Sequence, residues 1–291
     1  MRKKGVCCLL IAGTLWGFMG FFVRNMMALG FDQLQVIFMK MLLGIVFLAA
    51  FLLAKDPSLF RIRQWRDLWF LAASGLISLL GFNFFYYKAM EVTTLALAGV
   101  LLYVAPGIAM LLSAVIFKER ITPRKIIALF ILFGGCAAAG GVLEGEWSIT
   151  LSGFLLCMGA AFCYGLYSIF GRIAVERGYH AYTTTLYNMI FCFLGTLPLV
   201  DFSGLVAVMS PPLFAYSCGM AIPCAAIAYV FYTSGLKYVE AGEASMLATV
   251  EAVVAVLVSV FLFDEAMTVG ILAGILLIIG GIALMSGGAS R

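Results

Sequence analysis

Apolar residues run along this chain in stretches of about twenty, each closed by a short polar connection, from one end to the other. A bilayer core about 30 Å thick takes roughly 20 apolar residues per helix. The runs therefore predict membrane helices over 6–27, 35–53, 68–90, 93–117, 126–142, 151–170, 182–200, 213–236, 244–263 and 269–285. Ten such spans in 291 residues leave room for short loops and none for a soluble domain. The basic tripeptide Arg2-Lys3-Lys4 resembles the start of a signal peptide, but the apolar run behind it is longer than a signal core, so it reads as a retained first helix.

The pattern also repeats at a longer period. Residues 101–122 and 247–268 align without gaps, sharing Leu101/Leu247, Val104/Val250, Ala109/Ala255, Leu111/Leu257, Ser113/Ser259, Phe117/Phe263, Glu119/Glu265 and Thr122/Thr268. Residues 12–24 align on 160–172, so that Trp16 meets Tyr164, Gly17 meets Gly165 and Arg24 meets Arg172. The chain thus divides into two related five-helix halves, 1–145 and 146–291. Two related apolar halves are a recognised plan for membrane transporters, with the site between them.

Composition agrees, since 64% of the residues are hydrophobic and 11% charged, a balance that suits lipid rather than water. The formal net charge of +4 is explained by topology and not by nucleic acid. With the N-terminus inside, every one of the 18 basic residues except Arg24, Lys40 and Lys88 falls at a cytoplasmic helix end. Both termini are then cytoplasmic. Five helices per half is an odd number, so the second half enters the membrane in the opposite sense and the repeats are inverted. Two conformations, one open to each side, follow if the halves exchange arrangements. The expected location is the cell (inner or plasma) membrane, multi-pass.

Three stretches carry a family likeness: Leu15-Trp16-Gly17 in the first helix, Leu102-Tyr103-Val104-Ala105-Pro106 through Phe117-Lys118-Glu119 in the fourth, and Ala248-Thr249-Val250-Glu251 through Phe263-Asp264-Glu265 in the ninth. On these residues the chain resembles the drug/metabolite transporter superfamily, specifically its ten-helix EamA-type members, over essentially its whole length. The resemblance implies an all-α membrane fold with a central cavity lined by helices one to four and six to nine. It also implies a carrier of small metabolites, with export of amino acids or related compounds favoured. Two positions depart from the family pattern. Glu251-Ala252 stands where Glu-Pro is common, which argues against a kink in helix nine. Lys40 stands where an arginine is frequent, which removes the guanidinium fork that grips a carboxylate at two points.

Ionisable groups at membrane depth are functional candidates by default. Glu251 lies seven residues into helix nine, about 10 Å deep at 1.5 Å per residue. It reads as a carboxylate that binds a cationic group or takes a proton during transport, against a structural acid satisfied by Thr249 or Ser245. The first copy of the repeat has Ala105 there, so the shared fold does not need the acid. Lys40 lies about 8 Å below the opposite face. It either snorkels to the headgroups, holds a substrate carboxylate or pairs with Glu251. Trp16, Asn83, Tyr87, Tyr103, Tyr164 and Asn188 are polar or aromatic candidates for a cavity wall, with packing and interhelical hydrogen bonding as the alternatives. Pro106 and Pro223, inside helices four and eight, are candidate hinges, or static bends.

Other chemistries find little support. The single histidine, His180, has no second histidine for a metal pair or acid/base relay, and no nucleophile elbow or phosphate loop appears. The eight cysteines all fall within predicted spans and read as small packing residues. No cofactor or metal is expected, and without an ATP-binding motif the movement is facilitated, exchanged or ion-coupled, protons included. The expected partners are a small-molecule substrate and membrane lipid, and small-residue helix faces permit a homodimer. A lipid flippase or a channel shares these features and is the alternative, an intramembrane enzyme the weaker one.

Overall fold

The computed structural model describes residues 1–93, 95–140, 150–264 and 266–287, without the side chains of residues 87, 91, 95 and 96. Its elements in chain order are helices. They run α1 (Arg2–Gly17), α2 (Met19–Ala28), α3 (Gln33–Lys55), α4 (Leu68–Ala73), α5 (Phe82–Val92), α6 (Leu95–Leu102), α7 (Ala105–Ile116), α8 (Pro123–Ala139), α9 (Leu151–Glu176) and α10 (Ala181–Thr196). The series ends with α11 (Phe202–Val208), α12 (Pro211–Gly219), α13 (Ala228–Gly235), α14 (Ala241–Ala248), α15 (Val250–Leu262) and α16 (Val269–Ser286). Among the described residues eight helical runs are long and apolar enough to cross a membrane, or nine if one bent pair counts as a span. The fifth predicted stretch is α8, whose 17 residues pack along α16. Its predicted end at residue 142 lies outside the described residues.

Side chains at the loop boundaries start these helices. Asp32 and Gln35 form a reciprocal capping box at α3. Thr122, Thr150 and Thr268 each accept a backbone N–H of the first turn of α8, α9 and α16. The seventh stretch differs from expectation, because α10 passes through a short 3-10 turn, Leu197–Leu199, and meets α11 at 98°. Asp201 starts α11 by accepting the Ser203 N–H.

Irregularities recur at the offset that relates Leu101 to Leu247. Between α4 and α5 the helix widens into a π-helical stretch, Ser74–Gly81, and between α12 and α13 into another, Met220–Ile227. The fourth span breaks at Tyr103 and Val104, and the ninth at Thr249. Both breaks are tightened turns, with Tyr103 N–H bonded to Val100 O and Thr249 N–H to Met246 O. The expectation of an unkinked helix nine is therefore corrected: the span is interrupted without a proline. Pro106 likewise sits in the first turn of α7, behind the break, rather than in a helix interior. Pro223 lies inside the second π-helical stretch.

The packing is reciprocal between the halves. α1 lies against α13, α14 and α15, while α9 lies against α5, α6 and α7. Glycines permit the closest approaches. A Cβ on Gly17 would stand 2.8 Å from Glu251 O, and one on Gly165 would stand 3.2 Å from Ala105 O. Those two glycines align in the repeat, and so do the two carbonyls they face. Where Gly135 meets Gly274 and Ile278, α8 closes on α16 in the same way.

The ends of the helices gather on the face that carries both termini. Arg2 pairs with Glu243 and donates to Ser286 O at 3.3 Å. Lys125 pairs with Glu240, and Arg124 donates to Leu284 O. Arg177 pairs with Asp67, which also accepts the Tyr179 hydroxyl at 2.7 Å. Arg172 donates to Leu236 O at 2.8 Å, and Glu119 accepts the Ala241 N–H at 3.3 Å, capping the start of α14. Three of these ion pairs join a residue before position 126 to one after position 176.

Candidate functional site

The break at Thr249 decides where the acid of helix nine points. Glu251 sits in the first turn of α15, and its carboxylate turns toward α9, where the Tyr164 hydroxyl lies 3.2 Å from each of its oxygens. Tyr86, Tyr103 and Tyr232 surround the same carboxylate at electrostatic range, with Cys136 beyond. Among the described residues no lysine or arginine pairs with it. Glu251 lies deep among these helices and is only partly exposed.

Aromatic side chains cluster beside this carboxylate. Trp16 of α1 stacks edge-on or tilted against Tyr229, Tyr232 and Tyr164, with ring centres 5.5, 5.1 and 6.4 Å away. Tyr167, one turn along α9 from Tyr164, lies 5.3 Å from Tyr229 and 5.7 Å from Tyr232. Phe82 closes the far side, 5.5 Å from Tyr164. A carboxylate framed by aromatic faces suits an ammonium group, which both the charge and the ring quadrupoles attract.

Polar atoms in this interior are left without partners. Trp16 Nε1, the Tyr167 hydroxyl, the Thr233 hydroxyl and both amide atoms of Asn188 are buried and make no hydrogen bond of normal geometry. Tyr167 meets Thr233 and Asn188, from α9, α13 and α10, within side-chain hydrogen-bonding reach. Each such group costs about 1–3 kcal/mol when left unmet.

The remaining sequence candidates fall elsewhere. Lys40 does not reach the headgroups, being 3% exposed between α3, α10 and the second π-helical stretch, near Cys192 and Cys224. Its pairing with Glu251 is likewise not formed in this conformation. α3 starts at Gln33, two residues before the start expected from hydropathy, and Lys40 is buried where α3 packs against α10. Asn83 donates to Leu79 O of its own helix at 2.6 Å, which satisfies its amide nitrogen locally. The Tyr87 side chain lies outside the described residues, as does Glu265. A groove of about 810 Å³ runs along α1 from Arg2 to Leu15 and is not lined by Glu251. Tyr167, Tyr229, Tyr232 and Thr233 were not singled out by the sequence, where they read as ordinary apolar-span residues.

Known proteins support the likeness. The sequence model of the EamA-like transporter family matches residues 3–140 and again 151–287. An uncharacterized transporter of Archaeoglobus fulgidus is 26% identical over 97% of this chain and 96% of its own. The uncharacterized transporter YxxF of Bacillus subtilis is 24% identical over 97% of this chain and 89% of its own. The aromatic amino acid exporter YddG of Ancylobacter novellus is 27% identical over 43% of this chain and 45% of its own. A crystal structure with 21% identity superposes with a TM-score of 0.80, covering 98% of this chain and 96% of that one, which shows the fold. Matched twice along its length and built of membrane-crossing helices, this multi-pass membrane protein belongs to the EamA-like transporter family.

Proposed function

We propose that the protein carries a small metabolite bearing a cationic group across the cell membrane by alternating access, with Glu251 as the group that recognises it or couples its movement. The observation that carries this reading is the Tyr164–Glu251 pair, a membrane-depth carboxylate in an aromatic enclosure with no basic partner among the described residues. Export of an amino acid or related amphiphile is the favoured direction and cargo, supported by the partial likeness to an exporter of aromatic amino acids.

The architecture proposed is ten spans in two inverted halves, 1–145 and 146–291, with α8 as the short fifth span and both termini in the cytoplasm. The matched π-helical stretches and matched breaks support a repeat of structure as well as sequence. The gathering of alternate helix ends on one face supports ten alternating crossings. The ion pairs Arg2–Glu243, Lys125–Glu240 and Asp67–Arg177 then form the contact that must open for substrate to enter from the cytoplasm. Lys40 is the second candidate for substrate contact, and a proton is the candidate coupling ion.

The test is thermal stability in detergent against a panel of amino acids, amines, nucleosides and lipids, followed by flux of any hit in liposomes. A ligand at a hundredfold excess over its Kd adds about 2.7 kcal/mol of stability. A hit among the ammonium compounds that vanishes in Glu251→Gln is expected. A hit confined to lipids, unchanged by that substitution, overturns the reading in favour of lipid transport.

A further inference from the structure

We propose that the groove along α1 binds one anionic phospholipid from the leaflet on the side of the chain termini, with the headgroup at Arg2 and Lys3 and an acyl chain along Val6, Leu10, Ile11 and Leu15. The groove changes character along its length. The end nearest the termini carries the two basic side chains, beside the close of α16 at Ser286 and Gly287, and the remainder is apolar apart from Thr14. Among the described residues no acid lines it. From Val6 to Leu15 the helix advances about 14 Å at 1.5 Å per residue. One leaflet contributes roughly 15 Å to a hydrocarbon core of about 30 Å. The apolar part is thus as deep as the layer that one acyl chain fills, and the charge stands where a lipid phosphate sits.

The two cations are placed differently, and each suits a headgroup. Arg2 donates to Met285 O at 2.9 Å and to Ser286 O at 3.3 Å and pairs with Glu243, so its guanidinium is held at the mouth of the groove. Glu243 itself does not line the groove. Lys3 is exposed beside Arg2, and its flexible stem lets the ammonium follow a phosphate along the membrane surface. Basic pockets between membrane helices take anionic headgroups, and each lysine or arginine near the surface strengthens that attraction about fivefold. A zwitterionic lipid offers the same chains without net charge, so these two side chains supply selectivity on top of apolar contact. Ile11, 37% exposed, opens the groove sideways, which lets a chain enter from the leaflet.

The experiment adds phosphatidylglycerol or phosphatidylcholine with identical acyl chains to the full-length protein, purified and delipidated in detergent, and measures bound lipid by native mass spectrometry. Phosphatidylglycerol should bind about tenfold or more tightly than phosphatidylcholine, as expected for two cations at about fivefold each. Lys3→Gln should lower phosphatidylglycerol binding about fivefold and leave phosphatidylcholine unchanged. Ile11→Trp, at an exposed position, should fill the groove and lower both. Lys55→Gln, at the far end of α3, is the control and should change neither. Melting temperatures of the variants check that each is folded. Equal binding of the two lipids to the wild type overturns the proposal and leaves an annular lipid only. So does phosphatidylglycerol binding that survives Lys3→Gln or Ile11→Trp unchanged, or that falls as far in Lys55→Gln as in Lys3→Gln. Displacement of phosphatidylglycerol by inorganic phosphate at equal concentration overturns the acyl-chain contact.

Discussion

The Tyr164 hydroxyl stands equidistant from the two carboxylate oxygens of Glu251, 3.2 Å from each, and so ties the sixth predicted span to the first turn of α15. A hydroxyl in that position fixes the carboxylate without neutralising it, which keeps its charge available to a ligand.

Tyr164→Phe should therefore weaken binding of an ammonium substrate without abolishing it, by about tenfold to a hundredfold, since a hydrogen bond to a charged group contributes about 1.5–3 kcal/mol. Glu251→Gln should lose binding altogether in the same titration. Equal effects of the two would mean that the tyrosine acts on the ligand directly.

The ion pairs on the face of the termini predict a shift of conformation when they are broken. Glu240→Gln together with Glu243→Gln should expose a cysteine placed at Ser245, otherwise buried, to a membrane-impermeant maleimide added from that side, in a background stripped of native cysteines. Exchanging the charges of Arg2 and Glu243 should restore protection. Labelling equal to the wild type would remove these pairs from the opening step.

Among the described residues no carboxylate stands beside Lys40, so its removal should separate structure from function. Lys40→Met should leave the melting temperature unchanged or raise it, because replacing a buried charge by a well-packed apolar chain is often neutral or stabilising by about 1–4 kcal/mol. Transport should fall in the same variant. A variant that is more stable and transports normally assigns Lys40 to neither substrate nor coupling.

Gly13 faces Ala248 O, where a Cβ would stand only 2.5 Å away. Gly13→Leu should force α1 from the break between α14 and α15 and lower stability by about 1–3 kcal/mol, the usual cost of overpacking. Thermal unfolding in detergent reads this directly, and Gly20→Leu, where a side chain meets open space, is the matched control.

His180 gives stability a pH dependence. Its Nδ1 accepts the Tyr182 N–H at 3.3 Å at the start of α10, which requires the neutral ring. Burial, then Lys55 and Lys237, hold its pKa below the ordinary 6.5. The unfolded chain thus takes up the proton first, so the contribution is complete above about pH 6.5 and is lost as pH falls through the lower folded value. Melting temperature measured from pH 7.5 to 5 should decline less in His180→Asn, which keeps a cap acceptor.

Hydropathy located the membrane runs because lipid imposes one demand on every residue of a span, and the same uniformity hid what lies between spans. Glu251 was legible because a lone acid breaks an apolar run. Tyr167, Tyr229, Tyr232 and Thr233 were not, since a tyrosine facing lipid headgroups and one facing a cavity look alike along the chain. Lys40 was legible as a charge but not as a buried one, because its burial depends on how α3 is rotated against α10. The break at Thr249 carries no proline or glycine to announce it, and the 98° bend after α10 is marked only by Pro198 and Asp201.

Just past α7 and α15, Lys118 and Asp264 hold left-handed backbone angles, with φ of 57° and 52°, although neither is glycine. They occupy the same position of the repeat, each following its shared phenylalanine. A side chain in that region costs about 1–2 kcal/mol, so nothing favours its arising twice by chance in loops that now carry opposite charges. The turn is set by its place at the end of the repeated helix rather than by the residue that fills it. A lysine and an aspartate, opposite in charge, both accept the same left-handed corner at one position of the repeat.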